Sequence, residues 1–330
     1  MNIVRRFTHY VPSLAVLVAG FVYACLNRNE LISLFTLQLS DVLIIAGILF
    51  LFFLSTGFTF YLLVSLVSVR LSLIEMIGLT FLSNFGNYLG PTRPGAAIKA
   101  IYLKGEKDLP YTRFSAVLAA NGFVLFFVSG MVGVLLLVAL WAQSGILPGS
   151  LVAVCLALIS GALLPLAFRF RQVSYRGRIW RHLNRATEGF EAIKSQREKL
   201  LAVCASVLLQ YMITAWLMVF TYQTLGQPIS LTAALIIGVF TSIANFLTIT
   251  PNNLGIQEIV MAYLYTITGL DFSEGLLGAS LMRAVHIILT FGLTPIFAHF
   301  MLKSANLSLA AILPGRKHQT DTVPLNHEDV

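Results

Sequence analysis

Two short clusters of turn-forming residues interrupt otherwise apolar stretches of this chain, and the side chains that could do chemistry gather around them. The first cluster is Gly90-Pro91-Thr92-Arg93-Pro94-Gly95 and the second is Pro251-Asn252-Asn253-Leu254-Gly255. Arg93 sits inside the first break. An arginine at membrane depth costs about 2.5–3.5 kcal/mol on insertion scales, so it turns toward a protein interior or a wet cavity. A guanidinium binds phosphate bidentately, and a helix restarting near Pro94 would add its positive N-terminal end. Arg93 is therefore a candidate for recognising an anionic head group, with capping of the broken helix's carbonyls as the structural alternative. Glu258 follows the second break, in the first turn of the helix expected to restart there. A carboxylate at that place can cap the helix, pair with Arg283 or meet a substrate amine. Arg283 and His286 share one helical face. His286 reads as an interhelical hydrogen-bonding group ahead of a proton shuttle.

Asparagines recur around both breaks: Asn84, Asn87, Asn121, Asn245, Asn252 and Asn253. They can line a polar groove for head groups, and they can also satisfy backbone groups freed where helices break. The candidate binding set is Arg93, Arg283, Glu258, Asn87, Asn121, Asn252, Asn253 and His286. Pro91, Pro94, Gly95, Pro251 and Gly255 are the residues that break the helices. Glu75 reads as an interfacial group. The sequence has no metal cluster, nucleotide loop or nucleophile triad, so enzyme chemistry, a cofactor and a metal are not expected.

The elements that must position these residues are set by composition. The chain has 330 residues, 57% hydrophobic and only 11% charged, where a soluble domain carries about a quarter charged residues. With a mean hydropathy of +0.83 it has too little polar surface to cover itself in water. Six runs read as full spans of roughly 30 Å of hydrocarbon: about 11–27, 41–69, 114–141, 148–168, 200–225 and 275–302. Arg5 and Arg6 before the first run resemble a signal peptide, but an uncleaved membrane helix is the better reading. Cys25, Cys155 and Cys204 lie in apolar runs without a CxxC pair and read as small buried hydrophobes.

The broken stretches at 72–103 and 231–270 are read as re-entrant hairpins, each entering and leaving on one side. With the N-terminus inside, the basic residues then sort. Of 22 Lys and Arg only Arg28 falls in an outside loop, while Arg93 and Arg283 lie at membrane depth. Cytoplasmic excess of Lys and Arg sets topology, so a multi-pass protein of the cell (inner or plasma) membrane with both termini cytoplasmic is expected. Residues 1–145 form a first membrane repeat with its hairpin at 72–103. Residues 146–302 form a second, with a cytoplasmic basic linker at 169–199 and its hairpin at 231–270, and 303–330 form a polar cytoplasmic tail. The expected fold is an all-α polytopic membrane helix bundle, about six spanning helices plus two re-entrant broken-helix hairpins in an inverted repeat. Paired broken helices in corresponding positions point to a transporter-type binding site near the midplane. The linker, with nine Lys/Arg against three Glu, suits a helix lying on an anionic inner leaflet rather than a nucleic-acid site.

The stretch from Asn87 to Gly95 resembles the first signature of the lysylphosphatidylglycerol synthase transmembrane family, the flippase-like domain proteins, followed by Ala100-Ile101-Tyr102-Leu103. Thr250-Pro251-Asn252-Asn253-Leu254-Gly255-Ile256-Gln257-Glu258 resembles the second signature, and Leu281-Met282-Arg283 is similar to a third. Two positions depart from the family pattern: Ala96 and Ala97 stand where an acidic residue is frequent. Ala119-Ala120-Asn121-Gly122 stands where many members carry a Glu-Arg pair. The resemblance implies a stand-alone member lacking the soluble aminoacyl-transfer domain, handling membrane phospholipids or lipid-linked glycans. It implies translocation of a lipid or lipid-linked head group. A non-transporting scaffold that recruits a biosynthetic enzyme for envelope lipid or polysaccharide synthesis is a second expectation. A small-solute secondary transporter is a third, disfavoured by the lack of a coupling carboxylate on a span.

Overall fold

The computed structural model describes residues 37–90, 94–145, 147–167, 196–245 and 250–304. The expected span at 11–27, the linker from 169 to 195, the tail beyond Ser304, and Pro91 and Arg93 lie outside the described residues. Among the described residues the regular structure is helical throughout: a polytopic helix bundle.

Helix α1 covers Leu39–Ser65. The first broken segment is α2, Leu73–Tyr88, and α3, Pro94–Lys107. Helix α4, Tyr111–Ser144, ends on Gly145, which takes the left-handed φ of 70° that glycine adopts without penalty. Helix α5 covers Gly149–Ala167 and α6 Arg197–Thr224. The second broken segment is α7, Leu231–Ala244, a 3-10 turn at Pro251–Asn253, and α8, Ile256–Ile267. Helix α9, Phe272–Ser304, closes the bundle. Both breaks fall where proline and glycine place them, and α1, α4, α5, α6 and α9 cover most of the expected spans at 41–69, 114–141, 148–168, 200–225 and 275–302.

Helices α1, α4, α6 and α9 are each long and apolar enough to cross a membrane, and only 33–39% of their most apolar windows is buried by protein. Large apolar side chains such as Leu51, Leu135, Trp216 and Ile288 therefore face outward. A water-soluble helix would cover that stripe; here hydrocarbon is the solvent that suits it.

Helices α1 and α6 pack antiparallel along their length. Lys199 Nζ and Gln196 Nε2 donate to the carbonyls of Ser65 and Leu66 at 3.2 and 2.7 Å, capping orphan acceptors at the end of α1. Farther along, Thr59 Oγ1 donates to Ser206 Oγ at 2.9 Å. The first broken segment begins beside that same end. Ser72 and Glu75 form a capping box at the start of α2. The Glu75 carboxylate also accepts from Tyr102 Oη at 2.8 Å and pairs with Lys107 Nζ at 2.7 Å, tying the start of α2 to the end of α3. Glu75, read as merely interfacial from sequence, thus clasps the segment shut at its base.

The second broken segment uses the opposite end, where α6 finishes. Tyr222 near the end of α6 lies 4.6 Å, ring to ring, from Tyr265 near the end of α8. Its hydroxyl donates to the Gly275 carbonyl at the start of α9, at 2.8 Å. The packing between halves is reciprocal: α2 packs on α1 and α9, whereas α7 packs on α6 and α4. Each of α1 and α6 in turn touches both α4 and α9.

Candidate functional site

The two broken segments meet against the middle of α9, and one guanidinium touches both. Arg283 Nη1 donates to the Tyr88 hydroxyl of α2 at 3.5 Å and to the Asn252 carbonyl of the second break at 3.4 Å. Nη2 donates to Gln257 Oε1 at 2.6 Å, and Nε forms an ion pair with the Glu258 carboxylate. Both charged side chains are only 9% exposed, so the pair is held almost entirely by protein. Glu258 performs two of the roles open to it. Its other oxygen accepts the Gly255 N–H at 2.6 Å, capping α8, while the first meets Arg283.

Local backbone conformation makes this possible. Asn252, Asn253 and Gly255 have φ of 48°, 53° and 81°, left-handed values that asparagine tolerates and glycine takes freely. The chain thereby reverses within a few residues and aims the start of α8 at α9. Asn253 Nδ2 donates back to the Asn245 carbonyl at 3.2 Å, bridging the end of α7. In the first segment Asn87 Oδ1 accepts the Gly95 N–H at 3.1 Å, satisfying a donor at the start of α3. Gly95 is needed there: a Cβ would lie 2.0 Å from the Ser83 carbonyl oxygen. His286 sits one turn from Arg283, with Nδ1 3.0 Å from the Tyr88 hydroxyl and its ring 5.0 Å from that of Phe53.

Beside this junction lies a cavity of about 440 Å³. Arg283, Glu258, Asn87, Asn121, Asn252, Asn253 and His286 all line it, so every candidate binding residue of the described chain comes to one place. The break residues Gly95 and Asn252 form part of its wall. Arg93, the residue given most weight from sequence, is outside the described residues.

A family model described as the lysylphosphatidylglycerol synthase TM region matches residues 11–293. The chain belongs to this family. It is a multi-pass membrane protein of a family associated with lipid handling. No curated protein and no solved structure gives a significant match.

Within this family member, a charged wall residue escaped the sequence reading. Lys99, grouped from sequence with Lys104 and Lys107 on the cytoplasmic side, lines the cavity, its Nζ 4.1 Å from the centroid of the Phe60 ring. A cation over an aromatic face is stabilised without being neutralised. The missed signal was helical spacing. Lys99 shares the face of α3 that carries buried Gly95, Ile98 and Tyr102, whereas Lys104 is exposed.

Proposed function

We propose that this protein binds a lipid or lipid-linked head group in the cavity between its broken segments and carries it across the cell membrane. The observation that supports this reading most is a cavity that gathers charged and amide side chains from both breaks, inside a bundle whose outer faces are apolar. A head group can occupy such a space while its acyl chains stay in hydrocarbon. The reciprocal packing of the halves supports an inverted repeat, with α2–α3 and α7–α8 as re-entrant hairpins from opposite sides. Helices of 12–16 residues measure about 18–24 Å at 1.5 Å per residue, too short to span. That arrangement supports a site near mid-depth reachable alternately from either side, with both chain termini on the cytoplasmic face. The protein acts on this reading as a carrier rather than an enzyme.

The test is head-group exposure in proteoliposomes holding the purified protein and tail-labelled lipids, with dithionite added outside. Transport bleaches beyond the outer-leaflet fraction; bleaching equal to that of empty vesicles for phospholipid, glycolipid and polyprenyl-linked probes would refute the proposal.

A further inference from the structure

Among the described residues, the charged groups facing the cavity are Lys99, Arg283 and Glu258. Arg283 and Glu258 neutralise each other, and each guanidinium nitrogen already has a protein acceptor. Lys99 makes no hydrogen bond or ion pair among the described residues, and its one described charge contact is the Phe60 ring. At the base of the segment Glu75 is taken by Lys107, and Asp108 lies beside Lys104. Among the described residues, one positive charge is therefore left facing the cavity. In the second broken segment, Asn253 Oδ1 and Thr241 Oγ1 are buried with no partner among the described residues. Both residues are 4% exposed and line the same space. A buried acceptor left without a donor is costly, and a ligand hydroxyl would satisfy it.

We propose that Lys99 is the specificity-determining cation of the site, selecting a head group that carries a net negative phosphate and, at its far end, a hydroxyl that donates to Asn253 and Thr241. This rests on the carrier reading but assigns it a substrate class: anionic, hydroxyl-bearing head groups over zwitterionic ones. Arg283, by contrast, is a positioning residue that joins the two breaks.

The experiment is ligand-dependent thermal unfolding of the full chain in detergent, with short-chain phosphatidylglycerol, phosphatidylcholine, phosphatidylmethanol and inorganic phosphate as probes. Phosphatidylglycerol should stabilise the protein at about tenfold lower concentration than phosphatidylcholine, the size of one charged hydrogen bond. Lys99→Gln should abolish that preference, Lys99→Arg should keep it, and Lys104→Gln on the exposed face should leave it alone. Phosphatidylmethanol, anionic but without a hydroxyl, should bind more weakly than phosphatidylglycerol; equal binding overturns the Asn253 and Thr241 half. Equal binding of the first two lipids, or a Lys99→Gln protein that still discriminates, overturns the assignment while leaving the carrier reading intact. Inorganic phosphate stabilising as well as phosphatidylglycerol identifies a free anion and overturns the lipid class. A protein that binds none of the lipids overturns the assignment, while the carrier reading is judged separately by the glycolipid and polyprenyl-linked probes in proteoliposomes.

Discussion

At the scale of single residues, Arg283 and Glu258 are the most exacting pair in the molecule. Both are nine-tenths buried, so removing one leaves the other charged and without its partner. Arg283→Met or Glu258→Met alone should each cost about 3–5 kcal/mol, and the double substitution clearly less than the sum. Thermal unfolding of the purified variants measures this directly. Glu75 makes a second, pH-dependent contribution. Burial pushes its carboxyl up, but Lys107, the Ser72 N–H and Tyr102 together outweigh that and hold it below its ordinary value of 4.5. A carboxyl held low in the folded state stabilises fully above its unfolded value and loses that contribution as pH falls through the folded one. The stability gap between wild type and Glu75→Gln should therefore be present at neutral pH and close on acidification below 4.5. Sequence made the identities of these residues visible and offered the Glu258–Arg283 pair as one of three roles for Glu258, without deciding among them. Arg283 was legible as an intramembrane charge, yet nothing in spacing alone says that Glu258 and Gln257 occupy it. The place of Lys99 on the cavity wall was missed because counting charges by loop treats three lysines of one short helix alike, while its helical face separates them.

At the scale of elements, the close approach of α2 and α3 rests on glycine. Gly86 and Gly95 face one another, and a Cβ on Gly95 would also come within 2.6 Å of Asn87 Oδ1, the acceptor that holds the start of α3. Gly95→Ala should destabilise by about 1–3 kcal/mol through overpacking. Gly105→Ala on the same helix has open space around it and should stabilise by up to about 1 kcal/mol through helix propensity. The same unfolding assay reads both. These segments were well marked in the sequence, because proline and glycine interrupt hydrogen bonding wherever they fall. Their partners were not, since both α2 and α7 are apolar on several sides and periodicity does not say which helix covers which face.

At the scale of the whole molecule, the proposed orientation is open to a labelling test. In a background lacking Cys25, Cys155 and Cys204, a cysteine replacing exposed Asp271 should react with an impermeant maleimide on intact cells. One replacing Asp108, whose side chain is 97% exposed beside Lys104, should react only after lysis. Labelling of both from outside would reverse the assignment of the two ends of the bundle. The charge sorting that motivates this expectation came from sequence alone, since loops display their lysines and arginines openly. The meeting of the two breaks did not, since it depends on how α9 is threaded between them.

That threading has a consequence for how the protein is made. Thr294 Oγ1 donates to the Phe81 carbonyl and Tyr88 meets His286 across 213 and 198 residues of chain. The first broken segment is thus synthesised long before the helix that covers it. Until α9 emerges, α2 has a prepared face and no neighbour for it, a long-range closure of the kind that slows folding. Chains stopped just before Phe272 should carry α4 and α6 in the membrane, yet leave the α2–α3 segment open to added protease. Adding back the 33 residues of α9 should close it.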